Sequence, residues 1–416
     1  MSQAVRVEKL VHGGQGIAEQ SDHKKVFLWN VLPGELVEFT AQKSKKNYLE
    51  AVATQILESS PERIEPKDEA YLSTSPWQIM TFAAENLHKQ SILSETFQRE
   101  HVVYNNEIQF VAPEFEWAYR NKMEYSFWGD DDGLHLALFH RASHGKRIVQ
   151  GSSIAMPIID KVARKIVAIL QQNNVRASEL KTVVVRCNQQ GNAVAALFVK
   201  NKDFLALPDL AGVCSGLVIY YSNPKSPASV ATEELFAFGD RQLVDAIAGR
   251  ALTYDVLSFF QVNVPIFERA LSRMVSFVGK SEKVLDMYAG VGTIGLTMSD
   301  KPVLVESDPY NCEMARTNAQ GTAAQVIESP AEKAVEHIDS QHVLIVDPPR
   351  AGLHRTVIER IRDKLPPKII YLSCNPITQA RDVAILQDLY NVELLEGYNF
   401  FPRTPHIESL AVLKRL

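Results

Sequence analysis

Along residues 1 to 60, apolar and polar positions alternate in short runs broken by turn residues: VRVEKLV, HGGQGIAEQ, KKVFLWN, LPGELVEFT and NYLEAVATQIL. A period of two marks half-buried strands, and five of them at this spacing predict a small five-stranded barrel. The Pro- and Glu-bearing stretch SSPERIEPKDEA reads as a linker, and a helix is expected from about Trp77 to Glu100. From about Tyr119 to Asp255 the strand-like runs KMEYSFW, LHLALFH, KTVVVRC and NAVAALFV surround an amphipathic helix near Ile158 to Gln172, an α+β pattern. After Pro265 strand and helix alternate regularly, as in a parallel sheet with crossover helices. The predicted organisation is a barrel over 1–60, a linker and helix over 61–118, an α+β domain over 119–255 and an α/β domain over 256–416.

Composition narrows the class. The 416 residues are 46% hydrophobic and 22% charged, with a formal net charge of -5. No run of about 18 apolar residues is present, and MSQAVRVEKL lacks the apolar core of a signal peptide. A soluble, cytoplasmic protein with no membrane partner is expected, and a monomer. The cysteines Cys187, Cys214, Cys312 and Cys374 lie far apart with no CxxC spacing, so neither a metal site nor a disulfide framework is indicated. In the barrel region, Lys43, Lys45 and Lys46 beside Tyr48 either meet phosphates or form a solvated loop.

The α/β region carries the chemistry. Its first strand and turn, KVLDMYAGVGTIGLTM, place Gly290 and Gly292 one residue apart before a helix, a nucleotide-binding turn. The spacing departs from the dinucleotide fingerprint and suits a ligand whose amino-acid part lies over the turn. The next strand, VLVE, ends in Glu306, which either takes two ribose hydroxyls or is a plain surface carboxylate. With no Walker lysine, S-adenosyl-L-methionine is indicated over ATP, in a Rossmann-like class I methyltransferase domain. HVLIVDPPR then delivers Asp347 ahead of two prolines that stiffen the turn. Arg350 stands where amino-group methyltransferases have an aromatic residue, which argues against amine methylation. IIYLSCNP ends a strand on Cys374, either a buried filler or a residue at the ligand-binding edge of the sheet.

LSFFQVN (257–263), LDMYAGVGT (285–293), DPPRAG (347–352), YLSCNP (371–376) and FFPRTPHIES (400–409) occur in the order found in the RNA uracil-C5 methyltransferase family, which the chain resembles. The resemblance extends more weakly over the whole length: the amino-terminal barrel looks like an OB-like TRAM domain, and YRNKMEYSF is similar to the start of the family's central domain. It implies S-adenosyl-L-methionine-dependent formation of 5-methyluridine in structured RNA, 23S rRNA favoured by the barrel and tRNA the other substrate. By the same matching Cys374 is the nucleophile and Glu408 the base that removes the C5 proton. Gln261, Tyr288, Gly290, Thr293, Glu306 and Asp347 would contact the cofactor. Asp347, Phe259 and His406 would face the substrate, with Phe260 sharing the stacking role with Phe259. Core packing is the other reading of both phenylalanines, and a turn histidine the other reading of His406.

Many family members hold an iron-sulfur cluster on clustered cysteines. The corresponding stretches here, YLSTSPWQIM and VQGSSIAMPI, carry Ser73, Ser75, Ser152 and Ser153 and no cysteine, so no such cluster is expected. The acidic net charge counts against a nucleic-acid partner, but Arg350, Arg355, Arg360, Arg362, Lys364 and Lys368 form either a basic patch after the DPP motif or a solvated helix face. Two rivals stay open: a cytosine-C5 methyltransferase, disfavoured by HIES and FFQVN, and a non-catalytic RNA-binding relative, disfavoured by intact Cys374 and Glu408.

Overall fold

The computed structural model describes residues 4–105, 107–141, 145–207, 212–279 and 283–416. Five strands from Ala4–Leu10 to Tyr48–Glu58 close into a barrel around Val5, Val7, Val26, Leu28 and Val37. Ala4–Leu10 and Lys25–Trp29 bury alternate positions, as a period-two pattern requires. The stretch read as a linker is tied down rather than free. Arg63 grips the fully buried Glu35 of the barrel with Nε–Oε1 2.6 Å and Nη2–Oε2 2.8 Å, and also donates to Asn30 O. A bidentate pair of this geometry restrains the entering chain.

The predicted helix begins later than its apolar pattern, at Phe82–Arg99, capped by the Thr81 hydroxyl, which accepts from Ala84 N. Trp77–Met80 is taken up in turn contacts instead: Trp77 N donates to Arg403 O, and Met80 bridges Arg63.

The middle region builds a seven-stranded sheet, with the helix Pro157–Gln172 packed on one face through Ile159, Val162, Ile166 and Leu170. An eight-stranded sheet follows. Its first five strands in space, Gln325–Glu328, Val303–Glu306, Lys283–Met287, His342–Val346 and Lys368–Ser373, run parallel. Glu408–Arg415 then inserts antiparallel between Lys368–Ser373 and Tyr390–Tyr398. The short strand Gln109–Val111 pairs parallel to Tyr390–Tyr398 and closes that edge, and the Phe82–Arg99 helix contributes Ile92, Leu93 and Phe97 to the same core. Part of the stretch read as linker and helix thus belongs to the α/β body. No helix among the described residues is long and apolar enough to cross a membrane.

Candidate active site

In an open parallel sheet, ligands bind at the carboxyl ends of the strands. Lys283–Met287 feeds a turn in which Tyr288 (φ 69°), Gly290 (φ 56°) and Gly292 (φ 88°) all have left-handed backbone. For Tyr288 this conformation is costly and persists because neighbours fix it. At Gly292 the left-handed backbone favours glycine, and an added Cβ would also crowd Leu296 Cδ1 at 2.9 Å and Leu304 Cδ1 at 3.1 Å. Thr293 is buried at the first position of that helix.

Glu306 ends the second strand and folds back over the turn. Its Oε2 accepts from Gly290 N at 2.8 Å, and its Oε1 accepts from Ser307 N and Asp308 N, each at 2.8 Å. Asp286, which the motif reading passed over, lies fully buried behind the turn. One oxygen accepts from Gly295 N at 2.8 Å, while Oδ1 has no partner. Burial, with Asp347 and Glu306 nearby, pushes the Asp286 carboxyl up to about 8. Burial likewise raises Asp347 to about 7. Three carboxyl groups thus converge with an orphaned acceptor among them, and such a cluster calls for a ligand that brings positive charge and donors. Phe259 closes the other side, its ring 3.8 Å from where a Gly290 Cβ would stand, with its own N donating to Asn311 Oδ1. Gln261 follows, half-buried, its carbonyl held by Asn121 Nδ2 of the middle domain.

The two phenylalanines part company. Phe259 is 63% exposed, whereas Phe260 is buried and stacked on Tyr254 with centroids 3.9 Å apart, which removes Phe260 as a stacking surface for a base.

Cys374 is half-buried after Lys368–Ser373, and Asn375 fixes the loop by donating to Arg350 O at 2.8 Å. Its thiol is pushed up to about 11 by burial, then by Glu408 and Asp347, with Arg350 pulling the other way. Glu408 opens the strand Glu408–Arg415, is 5% exposed, and is held well above the usual carboxylate range by burial and Asp347. His406 Nδ1 lies 3.2 Å from Arg350 Nη2, joining the DPPR and HIES segments. Among the described residues no group of three or more His, Cys, Asp or Glu side chains could hold a metal ion.

Two features escaped the sequence. The turn Asn399–Arg403 rests on a buried polar network: Lys89 Nζ donates to Asn399 Oδ1 (2.7 Å) and Phe401 O (3.1 Å) and pairs with Glu85 (2.8 Å), while Glu85 accepts from Arg403 N and Asn399 Nδ2. Glu85 and Lys89 stand four apart, a spacing that in sequence reads as a solvated helix pair. The second lies in the serine stretches. Asp68 accepts from Ser153 Oγ (2.9 Å), Ser153 N and Gln78 Nε2 (2.9 Å), and Gln78 Nε2 also reaches Ser75 Oγ (2.7 Å), so this region is knitted by hydrogen bonds. The basic patch after DPP is largely neutralised: Arg362 forms a fork with Asp388, Arg355 pairs with Glu359, and Arg360 and Lys364 both reach Asp363. Arg350 alone of that group pairs into the cleft.

A parallel sheet of this order, with a glycine turn after its first strand and an acid ending its second, defines a class I methyltransferase, here behind a five-stranded barrel. Residues 322–416 match the family model of tRNA (uracil-5-)-methyltransferase and residues 2–54 that of the TRAM domain. RNA methyltransferases described as uncharacterized, from Enterococcus faecalis (28% identical) and Lactiplantibacillus plantarum (27%), align over 99% of this chain and 96% of their own. The crystal structure of Pyrococcus abyssi tRNA (uracil-54, C5)-methyltransferase in complex with S-adenosyl-L-homocysteine superposes with a TM-score of 0.81 at 22% identity, covering 98% of this chain and 99% of that one. These matches bear out the resemblance: the carboxyl-terminal part matches the uracil-5 methyltransferase family model, the amino-terminal barrel matches the TRAM domain, and the whole chain is similar to S-adenosyl-L-methionine-dependent RNA methyltransferases.

Proposed function

We propose that the enzyme methylates C5 of a uridine in structured RNA through a covalent bond between Cys374 and C6 of the base. The observation that supports this is the placement of Cys374 at a strand end within electrostatic reach of Glu408, Asp347 and Arg350, with Asn375 beside it bonded to Arg350 O at 2.8 Å. S-adenosyl-L-methionine, when bound, supplies an electrophilic methyl group together with an ammonium and two ribose hydroxyls. Glu306, Asp286, Asp347, Gln261, Tyr288, Gly290 and Thr293 form the cradle for it, since its donors and charge match the orphaned acceptor there.

Uracil C5 is a weak nucleophile. Addition of the Cys374 thiolate to C6 forms the S–C6 bond and moves the ring π-electrons through C5 onto O4, so that C5 can take a methyl group. The saturated intermediate still carries a proton at C5. Glu408 accepts that proton, the C5–C6 double bond re-forms, and Cys374 leaves as thiolate. Burial suits Glu408 to this role by making its carboxyl a stronger base than an exposed one. Phe259 offers an exposed ring for stacking beside the turn, and a uridine paired in folded RNA must be unstacked to reach this depth.

The barrel favours 23S rRNA as substrate. The Pyrococcus protein, which aligns over nearly the whole chain, is a tRNA enzyme, so tRNA is the competing reading. Mass mapping of 5-methyluridine in rRNA and tRNA from a deletion strain separates them. The chemistry is tested by Glu408→Gln, which is expected to trap a denaturation-resistant, methylated protein–RNA adduct. That adduct is absent from Cys374→Ala and from the double variant. Normal turnover by Glu408→Gln, or an adduct that survives loss of Cys374, overturns the roles.

A further inference from the structure

The geometry points to His406 as the group that donates a hydrogen bond to O4 of the target uracil and thereby admits uracil and rejects cytosine. This inference rests on the function proposed above and names the atom that the site reads.

A guanidinium has only donors, so the 3.2 Å contact from Arg350 Nη2 obliges His406 Nδ1 to accept. The ring proton of the neutral imidazole is then on Nε2. The ring stays neutral, since burial and the cations Arg350, Lys89, Arg120 and Arg141 push it down to about 3. Its orientation is fixed from the sides as well: Phe401 meets the ring edge-on at 5.6 Å, and His406 N donates to Thr404 Oγ1. Nε2 has no acceptor among the described residues and is not wholly buried, so its N–H is left to donate to a ligand.

The reaction needs a donor at that place. When the Cys374 sulfur bonds to C6, negative charge collects on O4, and O4 sits on the carbon bonded to C5. Glu408, two residues along the same segment, serves C5. A donor beside Glu408 therefore meets O4, and it strengthens as charge develops. Cytosine carries an amino group at that position, which turns two donors toward each other and leaves both unpaired.

The test measures methyl incorporation from a tritiated donor into transcripts of the source organism's 23S rRNA and tRNAs, made with uridine or with 4-thiouridine, whose sulfur is a weak acceptor. Wild type is expected to lose about tenfold or more in kcat on the thio-substituted RNA. His406→Leu and His406→Phe are expected to lose about 100-fold on uridine RNA, the scale of one lost oxyanion donor. They should also become indifferent to the sulfur, while His406→Gln, which keeps an N–H, retains part of both rate and discrimination. Equal rates of wild type on the two RNAs overturn the inference without recourse to any variant. So does an unchanged oxygen-to-sulfur ratio in a Leu or Phe variant that still binds S-adenosylhomocysteine, because a merely structural role slows both RNAs alike. Failure of wild type to methylate any uridine transcript brings down the proposed function itself, and this assignment with it.

Discussion

The resting state of Cys374 is open to direct measurement. With its thiol at about 11, thiolate makes up about one part in a thousand at pH 8, against about a quarter for an unperturbed cysteine near 8.5. The greater nucleophilicity of the rarer, more basic thiolate returns about tenfold of that deficit. Iodoacetamide should therefore alkylate Cys374 roughly 20-fold more slowly than a free thiol at pH 8, accelerating about tenfold per pH unit until the pH nears 11. Peptide mapping by mass spectrometry separates it from Cys187, Cys214 and Cys312, which are also free. The cause is tested by two variants. Glu408→Gln removes a carboxylate that raises the thiol and should move the alkylation midpoint down, whereas Arg350→Met removes the cation that lowers it and should move the midpoint up. A wild-type midpoint at or below about 8.5, or an upward move in Glu408→Gln, refutes the reasoning. For the nucleophile proposed above, the corollary is a thiol that stays protonated near neutral pH and so resists oxidation.

Glu306→Ala should weaken S-adenosylhomocysteine binding about 10- to 150-fold in calorimetry, the scale of about 1.5–3 kcal/mol for a charged hydrogen-bond partner; unchanged affinity removes Glu306 from the site. Phe259→Ala should cost about 1–3 kcal/mol of RNA affinity with no change in melting temperature, because the ring is largely exposed. Phe260→Ala should instead cost about 3–5 kcal/mol of stability in urea unfolding, and the reverse pattern would exchange the two roles. Lys89→Ala leaves Glu85 buried with its cation gone, so thermal unfolding should show a loss of about 3–5 kcal/mol; a loss under about 1 kcal/mol would mean that Asn399 and Arg403 suffice to hold the carboxylate.

What the sequence disclosed, and what it hid, follows from the range of the interactions. Barrel strands and the Pro157–Gln172 helix are written in local periodicity, and the positions of the glycine turn, Glu306 and Cys374 at strand ends of the parallel sheet were legible because each closes an apolar run. Gln109–Val111 gave no sign of joining the α/β sheet, since three residues carry no period and its partner Tyr390–Tyr398 lies far along the chain. The Phe82–Arg99 helix starts later than its apolar pattern for a related reason: Trp77 is apolar at a helical position, but its N–H is claimed by Arg403 and its indole by Gly14. Charged residues divide by the same rule. The Glu85–Lys89 pair is sealed inside by partners more than 300 residues away in sequence, while of the two readings open for the run from Arg355 to Lys364 the solvated helix face is the one that its carboxylate neighbours fit.

The contact between the barrel and the turn that precedes His406 and Glu408 implies that the barrel helps to set the position of that turn. Trp77 Nε1 donates to Gly14 O at 3.0 Å, and Trp77 N donates to Arg403 O, so one residue pins the barrel loop to the turn that leads into His406 and Glu408. Gly13 and Gly14 allow this to be separated from ordinary backbone strain. Both have left-handed backbone, at φ 91° and 98°, so alanine at either costs about 1–2 kcal/mol of conformational energy. At Gly13 the new Cβ would meet nothing within 4 Å, whereas at Gly14 it would stand 2.4 Å from Pro405 Cβ, a separation that forces the turn or the barrel to shift. Gly13→Ala should therefore lose a little stability and keep its kcat. Gly14→Ala should lose kcat about 100-fold, the scale set by displacing reacting groups by about 1 Å, while its affinity for S-adenosylhomocysteine holds because the glycine turn and Glu306 lie on other elements. Equal kcat in the two variants would show that the barrel rests against the catalytic turn without setting its position.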